Sequence, residues 1–382
     1  MITSLIRSNL RNFKPYSSAR SFYPAPFFSN LRKRSEFGNG KKLSRSGKIS
    51  SKKWSGVYQK GVFMDANENS LGSIINVNLD NELNRYPDPY SLDLRRTLGQ
   101  FLGVSERNIF VGNGSDEAID LLIRLFVEPN NEEIMIMEPT YGMYKVAAEV
   151  AGVGVKNCPL TKDFRVDIEA LLAQVTVKTK LIFCCSPNNP TGTLIPTQDI
   201  ERLCRNFNGI VVVDEAYIEF ASKPSLCTKV GKLENLVVLR TFSKAWGLAG
   251  IRVGYAVAQE QVIEYLNKIK PPYNLNRISG KLAMQALAQY PKMLEFRETI
   301  LTERGKLAKN LANLGFTVFP SEANFLLVYY PKVSALAKKL ADGYGIIIRD
   351  FGSKPMLKDC VRISVGTPEQ NKLLVKTLMK IL

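Results

Sequence analysis

The chain contains no histidine among its 382 residues. This absence excludes an imidazole acid or base, a Ser-His-Asp triad and any metal centre with histidine ligands. Long apolar runs are also missing, because no stretch approaches the roughly 18 residues that span a bilayer. We therefore predict an enzyme or binding protein with no metal and no membrane partner, in which Lys, Tyr, Asp and Arg carry any chemistry.

The sequence also lacks a CxxC pair, although it contains six cysteines. Two of them, Cys184 and Cys185, are neighbours inside an apolar run. This pattern is typical of buried, reduced thiols and indicates neither a disulfide framework nor a metal site. Since such thiols persist in reducing compartments, the cysteines favour a cytoplasmic location.

Acidic residues are scarce near the N-terminus. The chain carries 52 basic and 35 acidic residues, and Met1 to Lys53 holds 13 of the former with one acid, Glu36. A basic, serine-bearing and acid-poor start is typical of organellar transit peptides, so targeting to an organelle is the alternative location. Residues 21–56 could also bind nucleic acid or an anionic membrane. They contain no folded recognition motif, however, and we predict no nucleic-acid partner.

Most of the remaining chain shows the pattern of an α/β protein, with 45% hydrophobic and 23% charged residues overall. Helical periodicity over Asp116 to Phe126 and two helices after Pro271 alternate with short strands. Continuous apolar runs predict strands buried on both faces of a mainly parallel sheet, namely Glu133–Met137, Lys180–Cys185, Gly209–Asp214 and Leu236–Arg240. Three further strands are predicted at Phe325–Tyr329, Gly345–Ile348 and Cys360–Val365.

These patterns divide the chain into three predicted parts. Residues 1–60 are basic and irregular, residues 61–270 form a large α/β domain, and residues 271–382 form a smaller α+β domain.

Polar residues follow the predicted strands of the large domain. The segment 186–192 follows one strand, Asp214 with Tyr217 follows the next, and Lys244 with Arg252 follows a third. Ligands of open α/β sheets bind at this edge. A desolvated lysine can become a nucleophile, and a buried aspartate needs a cationic partner. Ordinary turns, a structural ion pair and a solvated lysine are the alternatives for each feature taken alone.

A further polar segment, 113–117, precedes a predicted helix. Unpaired amides at a helix start, with a glycine that permits close approach, can bind an anion. The alternative is a simple N-cap at Ser115 with acidic residues in the first turn of the helix, which accounts for the same residues without a ligand.

Taken together, these motifs resemble the pyridoxal-phosphate aminotransferases of fold type I, and within them the histidinol-phosphate aminotransferases. The matching segments cover Val62 to Leu382. They are residues 65–69 (DANEN), 84–88 (NRYPD), 139–144 (PTYGMY), 186–192 (SPNNPTG), 214–217 (DEAY), Ser243-Lys244 with Arg252, Arg349-Asp350, and 362–366 (RISVG). Residues 10–20 also resemble the N-terminal arm of the family, so the resemblance implies an arm over residues 1–20 that contributes to the small domain, followed by a basic, disordered insertion or loop over residues 21–60. The resemblance implies the fold type I architecture, a pyridoxal 5'-phosphate cofactor and amino-group transfer.

The resemblance implies a role for each matching residue. Lys244 would hold the cofactor covalently and act as acid and base, Asp214 would pair with the ring nitrogen, and Tyr217 with Asn189 would bind the phenolic oxygen. Tyr141 would stack on the ring. The cofactor phosphate would contact Ser115, Asp116, Ser243 and Arg252, together with Tyr86 of the partner subunit, which implies a homodimer.

Four residues are expected at the substrate, namely Tyr16, Asn69, Arg349 and Arg362. Guanidinium pairs suit a phosphate or a carboxylate, so the resemblance implies exchange between L-histidinol phosphate and 2-oxoglutarate in histidine biosynthesis. An aromatic amino-acid aminotransferase or a threonine-phosphate decarboxylase are the alternatives. The sequence departs from the family pattern at Ser70, where proline is usual, and in the insertion between Ser21 and Gly56.

Overall fold

The structure is a computed structural model. It describes residues 62–75, Asn84 and residues 86–382. The predicted arm, the basic segment and Tyr16 lie outside the described residues. The described strands are β1 Val62–Met64, β2 Ile109–Asn113, β3 Glu133–Ile136, β4 Gly154–Asn157, β5 Thr179–Cys185, β6 Ile210–Asp214, β7 Leu236–Thr241, β8 Val253–Val257, β9 Thr317–Val318, β10 Phe325–Tyr329, β11 Ile346–Asp350 and β12 Cys360–Ser364.

The described α-helices alternate with the strands through most of the chain. Their bounds are α1 Leu92–Leu102, α2 Gly114–Phe126, α3 Met143–Ala151, α4 Ile168–Gln174, α5 Thr197–Asn206, α6 Glu260–Ile269, α7 Arg277–Ala288, α8 Tyr290–Asn313, α9 Val333–Tyr344 and α10 Pro368–Ile381. None of these described helices has the length and apolarity needed to cross a membrane.

The larger sheet has seven strands in the order β2-β8-β7-β6-β5-β3-β4. Strands β3 to β7 run parallel, while β8 is antiparallel to both β2 and β7. Strands β5, β6 and β7 lie in the middle and are almost entirely buried. Their apolar, β-branched sequences suit a strand that is covered on both faces. The predicted mainly parallel mixed sheet between helices is confirmed.

Helix α2 packs against this sheet because its apolar residues recur at helical spacing. Ala118, Ile119 and Leu122 are fully buried, and they belong to one apolar cluster with strand residues such as Phe183. The helix follows β2 directly, so its N-terminus is fixed at the edge where the parallel strands end. This fixes the predicted anion site at residues 113–117 beside the ends of β6 and β7.

The smaller sheet has five strands in the order β1-β11-β12-β10-β9. Strand β1 pairs in parallel with β11, with Val62 opposite Ile346. Residues 62–64 were expected in the large domain, and the structure differs here. Strand β11 would otherwise present unpaired backbone groups at the edge of the sheet, and β1 satisfies them. The chain then passes from β1 into the segment Asp65 to Asn69, which lies between the two sheets.

Candidate active site

Three neighbouring strand ends of the large sheet surround a cavity of about 260 Å³. The cavity lies where the large sheet faces the smaller one, as expected for a ligand site at the carboxyl ends of parallel strands. It brings together most of the predicted site residues. These are Ser115, Asp116, Tyr141, Asn189, Asp214, Tyr217, Ser243, Lys244, Arg252, Arg349 and Arg362.

Lys244 follows β7 and projects its amine into the cavity. Its Nζ donates a hydrogen bond to the Ala66 carbonyl at 3.1 Å and lies 5.6 Å from the Tyr217 ring centroid. Burial, and then the charge of Arg362, lowers the pKa of Lys244 to about 8. About one tenth of this amine is therefore unprotonated at pH 7, against well under a thousandth for an ordinary lysine, and the unprotonated form is the nucleophile.

Asp214 ends β6 and is 3% exposed. One carboxylate oxygen accepts a hydrogen bond from the Tyr144 hydroxyl at 2.7 Å, and the other accepts one from the Ala216 amide at 3.1 Å. Burial raises the pKa of Asp214 to about 6. No Lys or Arg among the described residues forms an ion pair with this carboxylate. A buried carboxylate facing a cavity in this way suits a cationic ligand atom such as a protonated ring nitrogen.

An anion cradle forms where α2 begins beside β8. Gly254 permits the close approach, because a Cβ atom there would lie 2.2 Å from the Ser115 amide nitrogen. Arg252 lies beside the same helix start, where it pairs with Asp116 at 3.3 Å and donates to the Ser243 hydroxyl at 3.5 Å. Helix-start amides, a hydroxyl and a guanidinium are the donors that a phosphate requires.

Two tyrosines line the cavity. Tyr141 donates to an Asp116 carboxylate oxygen at 3.0 Å, which fixes its ring at the cavity wall. The Tyr217 hydroxyl accepts hydrogen bonds from Asn67 at 3.1 Å and from Asn189 at 3.4 Å. Burial raises the pKa of Tyr217 above its usual value. The hydroxyl therefore keeps its proton and can donate a hydrogen bond to a ligand.

Arg349 and Arg362 enter the cavity from the smaller sheet. They occupy directly opposite positions on the antiparallel strands β11 and β12. Arg362 is 5% exposed, and its guanidinium donates to the Asn189 side-chain oxygen and the Asp65 carbonyl. Like charges directly opposite each other destabilise a sheet, and an anion between them offsets that repulsion. The pair therefore suits an anionic substrate.

Two predicted residues among those described do not line the cavity. The Asn69 side chain donates to the Ala245 carbonyl at 2.9 Å and accepts from the Leu71 amide at 3.0 Å. These bonds hold the side chain in the turn and outside the cavity lining, and its substrate contact stays a prediction. Tyr86 is 77% exposed and stacks on Tyr273 with ring centroids 4.5 Å apart. Tyr16 lies outside the described residues.

The structure also places at the site residues to which no role was predicted. Asn67 and Glu68 line the cavity, whereas the predicted Asn69 does not. Thr241 and Cys185 also line it. Tyr144 binds Asp214 from behind. Asn67 and Tyr144 both belong to segments that carry the resemblance, so the motifs gave a signal for them without indicating which side chain faces the site.

Comparison with known proteins agrees with this geometry. Residues 58–378 match the family described as aminotransferase class I and II. The chain belongs to this family and is an aminotransferase, and the predicted resemblance is confirmed.

Two relatives carry a more specific name. Histidinol-phosphate aminotransferase from Cytophaga hutchinsonii is 41% identical, with 99% of this chain and 98% of the relative aligned. The protein of the same name from Parabacteroides distasonis is 40% identical, with the same shares, 99% and 98%, aligned.

Solved structures show the same fold. Histidinol-phosphate aminotransferase from Sinorhizobium meliloti, in complex with pyridoxal-5'-phosphate, superposes with a TM-score of 0.78 at 29% identity, covering 84% of this chain and 90% of that one. L-threonine-O-3-phosphate decarboxylase from Porphyromonas gingivalis superposes with a TM-score of 0.66 at 25% identity, covering 78% and 92% of the two chains.

Proposed function

We propose that this aminotransferase exchanges an amino group between L-histidinol phosphate and 2-oxoglutarate, giving imidazole-acetol phosphate and L-glutamate. The observation that carries the proposal is the cavity that joins Lys244 and Asp214 to the opposed pair Arg349 and Arg362. Near-complete alignment with relatives named histidinol-phosphate aminotransferase supports the choice of substrate.

Pyridoxal 5'-phosphate fits the residues that line the cavity, and when bound it supplies an aldehyde for amine capture and an electron-withdrawing ring. Lys244 would hold it covalently, and the buried carboxylate of Asp214 would pair with its ring nitrogen. Tyr217 and Asn189 would hold the phenolic oxygen, and Tyr141 would cover the ring face. The amides of Ser115 and Asp116, the Ser243 hydroxyl and Arg252 would bind the phosphate.

Lys244 would also move the proton in each half-reaction. With the cofactor bound, its Nζ would accept the proton from the substrate α-carbon and hold it for return within the same half-reaction. A pKa of about 8 lets the same nitrogen accept and release a proton near neutral pH. The hydrogen bond to the Ala66 carbonyl limits where this amine can lie.

The two arginines serve both substrates in turn. The phosphate of L-histidinol phosphate and a carboxylate of 2-oxoglutarate are both anions that a guanidinium binds with two hydrogen bonds. Since the two substrates bind in separate half-reactions, one pair of arginines is sufficient for both.

We further propose a homodimer that functions in the cytoplasm. Tyr86 and Tyr273 form an exposed aromatic stack, 77% and 46% exposed, and such a surface suits contact with a second copy of the chain. All six cysteines lie in the described part of the chain, and they are free and buried. Free thiols suit a reducing compartment.

The substrate assignment is tested by measuring kcat/KM for a panel of amino donors with 2-oxoglutarate, following L-glutamate. We expect L-histidinol phosphate to exceed L-phenylalanine and L-tyrosine by about 100-fold, because only it offers a phosphate to the arginines. Carbon dioxide release from L-threonine O-3-phosphate is measured in parallel. A higher efficiency with an aromatic donor, or carbon dioxide as the main product, would overturn the assignment.

A further inference from the structure

Tyr144 is the side chain that holds Asp214 from behind the cavity. It is fully buried in α3, and its hydroxyl lies 2.7 Å from a carboxylate oxygen of Asp214. The ring stacks on Phe183 with centroids 4.8 Å apart and meets Tyr141 edge-on at 5.5 Å. Packing on two sides therefore fixes the direction in which the hydroxyl points.

The groups around Asp214 come from every element packed against it. Tyr144 lies on α3, Cys185 on β5, Asp116 on α2, and Lys244 and Tyr217 lie beyond the ends of β7 and β6. Of the described residues, only Tyr144 gives Asp214 a side-chain hydrogen bond; the other donor is the Ala216 amide. Burial and the charge of Asp116 both oppose ionisation of Asp214, whereas Tyr144 and Lys244 favour it.

Tyr144 is suited to be the donor in this hydrogen bond. Burial and the neighbouring Asp214 hold the pKa of Tyr144 well above its usual value, so the hydroxyl keeps its proton. A neutral donor within hydrogen-bond distance stabilises a buried carboxylate without neutralising it, as a lysine or arginine would. The carboxylate thus keeps its negative charge for a ligand in the cavity.

We propose that Tyr144 is a positioning residue, whose hydroxyl keeps Asp214 ionised and directed at the ring nitrogen of the cofactor. The inference rests on the proposed cofactor and extends it to a residue outside the cavity wall. Groups that contact a ligand directly need such support to stay in productive geometry. The role differs from simple packing, because packing requires only the ring and the proposed role requires the hydroxyl.

The test compares Tyr144→Phe with Tyr255→Phe as the matched control. Both variants lose one buried tyrosine hydroxyl, and Tyr255 is 2% exposed in β8, with no hydrogen bond to Asp214. The dissociation constant of pyridoxal 5'-phosphate is measured by absorbance between about pH 5.5 and 8.5. Thermal unfolding of each variant without cofactor checks that it folds.

Removing the hydroxyl raises the pKa of Asp214, so the carboxylate takes up a proton at a higher pH. We expect Tyr144→Phe to bind the cofactor about threefold more weakly near pH 6.5 and about eightfold more weakly near pH 5.5, with almost no loss near pH 8.5. The acid midpoint of binding should move up by about one pH unit. Tyr255→Phe should match the wild type, and Tyr144→His, which restores an N–H donor, should move the midpoint back.

Two results would overturn the inference. One is a Tyr144→Phe binding curve that matches the wild type at every pH. The other is an equal loss at every pH with an unchanged midpoint, since that result indicates packing alone. A wild-type protein that bound no pyridoxal 5'-phosphate would instead refute the proposed function, so the two failures are distinguishable.

Discussion

Two residues, Lys244 and Asp214, show how burial prepares a site for chemistry. The same desolvation lowers the pKa of Lys244 to about 8 and raises that of Asp214 to about 6. Both groups thereby titrate near neutral pH, where an acid-base catalyst is most useful. Burial is the largest cause of both shifts, because the ends of buried strands place both side chains in a poorly solvated cavity.

The lowered pKa of Lys244 predicts how the apo-protein captures an aldehyde. Only the unprotonated amine reacts, so the initial rate of capture of pyridoxal 5'-phosphate should rise with pH and level off above about pH 8. Stopped-flow absorbance measures the rate, and borohydride trapping with peptide mapping locates the adduct. A rate still rising above about pH 10, as for an ordinary lysine, would contradict the prediction.

A control at another lysine separates this effect from general reactivity. Lys268 forms an exposed ion pair with Glu264 at 2.7 Å. Lys268→Ala should leave the rate and its pH dependence unchanged, whereas Lys244→Ala should abolish the trapped adduct. Turnover of Lys244→Ala should fall by at least about 10³-fold, since it loses a nucleophile and a general base together.

Site residues that directly follow a strand could be predicted from the sequence. Residues that support those side chains from behind could not. Asp214, Tyr217, Ser243 and Lys244 follow apolar runs, and the cavity contains all four. Tyr144 received no role, because its contact with Asp214 joins residues 70 positions apart. Only the packing of α3 against the sheet brings that pair together.

At the scale of elements, the site depends on how closely α2 approaches β8. Strands that end beside the N-terminus of a helix create an anion site only if the backbones can come near each other. Gly254 allows this approach, and Gly114, with φ of +74°, starts the helix in a conformation that favours glycine.

Gly254→Ala is expected to displace the start of α2. The new Cβ would lie 2.2 Å from the Ser115 nitrogen and 2.4 Å from the Gly114 carbonyl carbon. We expect the free energy of unfolding to fall by about 1–3 kcal/mol, with weaker cofactor binding. Urea unfolding measures the first effect. Gly231→Ala, where no atom lies within 4 Å of the new Cβ, should change stability by less than about 0.5 kcal/mol.

The pairing of β11 with β12 makes a prediction about both substrates. If the opposed arginines bind the two substrates in turn, Arg349→Gln should raise KM for L-histidinol phosphate and for 2-oxoglutarate by about 10- to 100-fold each. Arg107→Gln, which removes a partner from an exposed ion pair with Glu260, should leave both constants unchanged. Steady-state kinetics with each substrate varied would contradict the prediction if only one KM rose.

The elements also show which part of the fold the sequence could not reveal. The strand at Phe325–Tyr329 was predicted with its observed bounds, because its apolar run is local information. Strand β1 was not assigned to the smaller sheet, since its partner Ile346 lies 284 positions away from Val62. A three-residue strand carries no signal for a pairing over that distance.

At the scale of the whole molecule, one cavity draws side chains from both sheets. Lys244 and Asp214 come from the large sheet, whereas Arg349 and Arg362 come from the smaller one. Arg362 joins the two directly, because its guanidinium binds Asn189 beyond β5. The residues proposed to bind the substrate anion and the cofactor therefore belong to one connected set of hydrogen bonds. Tyr86, by contrast, lies outside the cavity and is 77% exposed.

A homodimer in which Tyr86 completes the site of the partner subunit predicts complementation between two inactive variants. Tyr86→Ala damages the site of the other chain, and Lys244→Ala damages its own. A mixed dimer therefore contains one intact site and one doubly damaged site. Purified mixed dimers should therefore have about half of wild-type activity, and an unseparated random mixture about one quarter. Co-expression with two different affinity tags isolates the mixed dimers for the assay.

The matched control combines Lys244→Ala with Asp214→Asn. Both substitutions damage the site of the chain that carries them, so each site in the mixed dimer keeps one defect and activity should stay at background. Restored activity in this control would mean that complementation does not depend on a residue contributed across the interface. Verified mixed dimers of Tyr86→Ala and Lys244→Ala that remained inactive would show that Tyr86 does not act across the interface, since the geometry leaves one site with every other group intact.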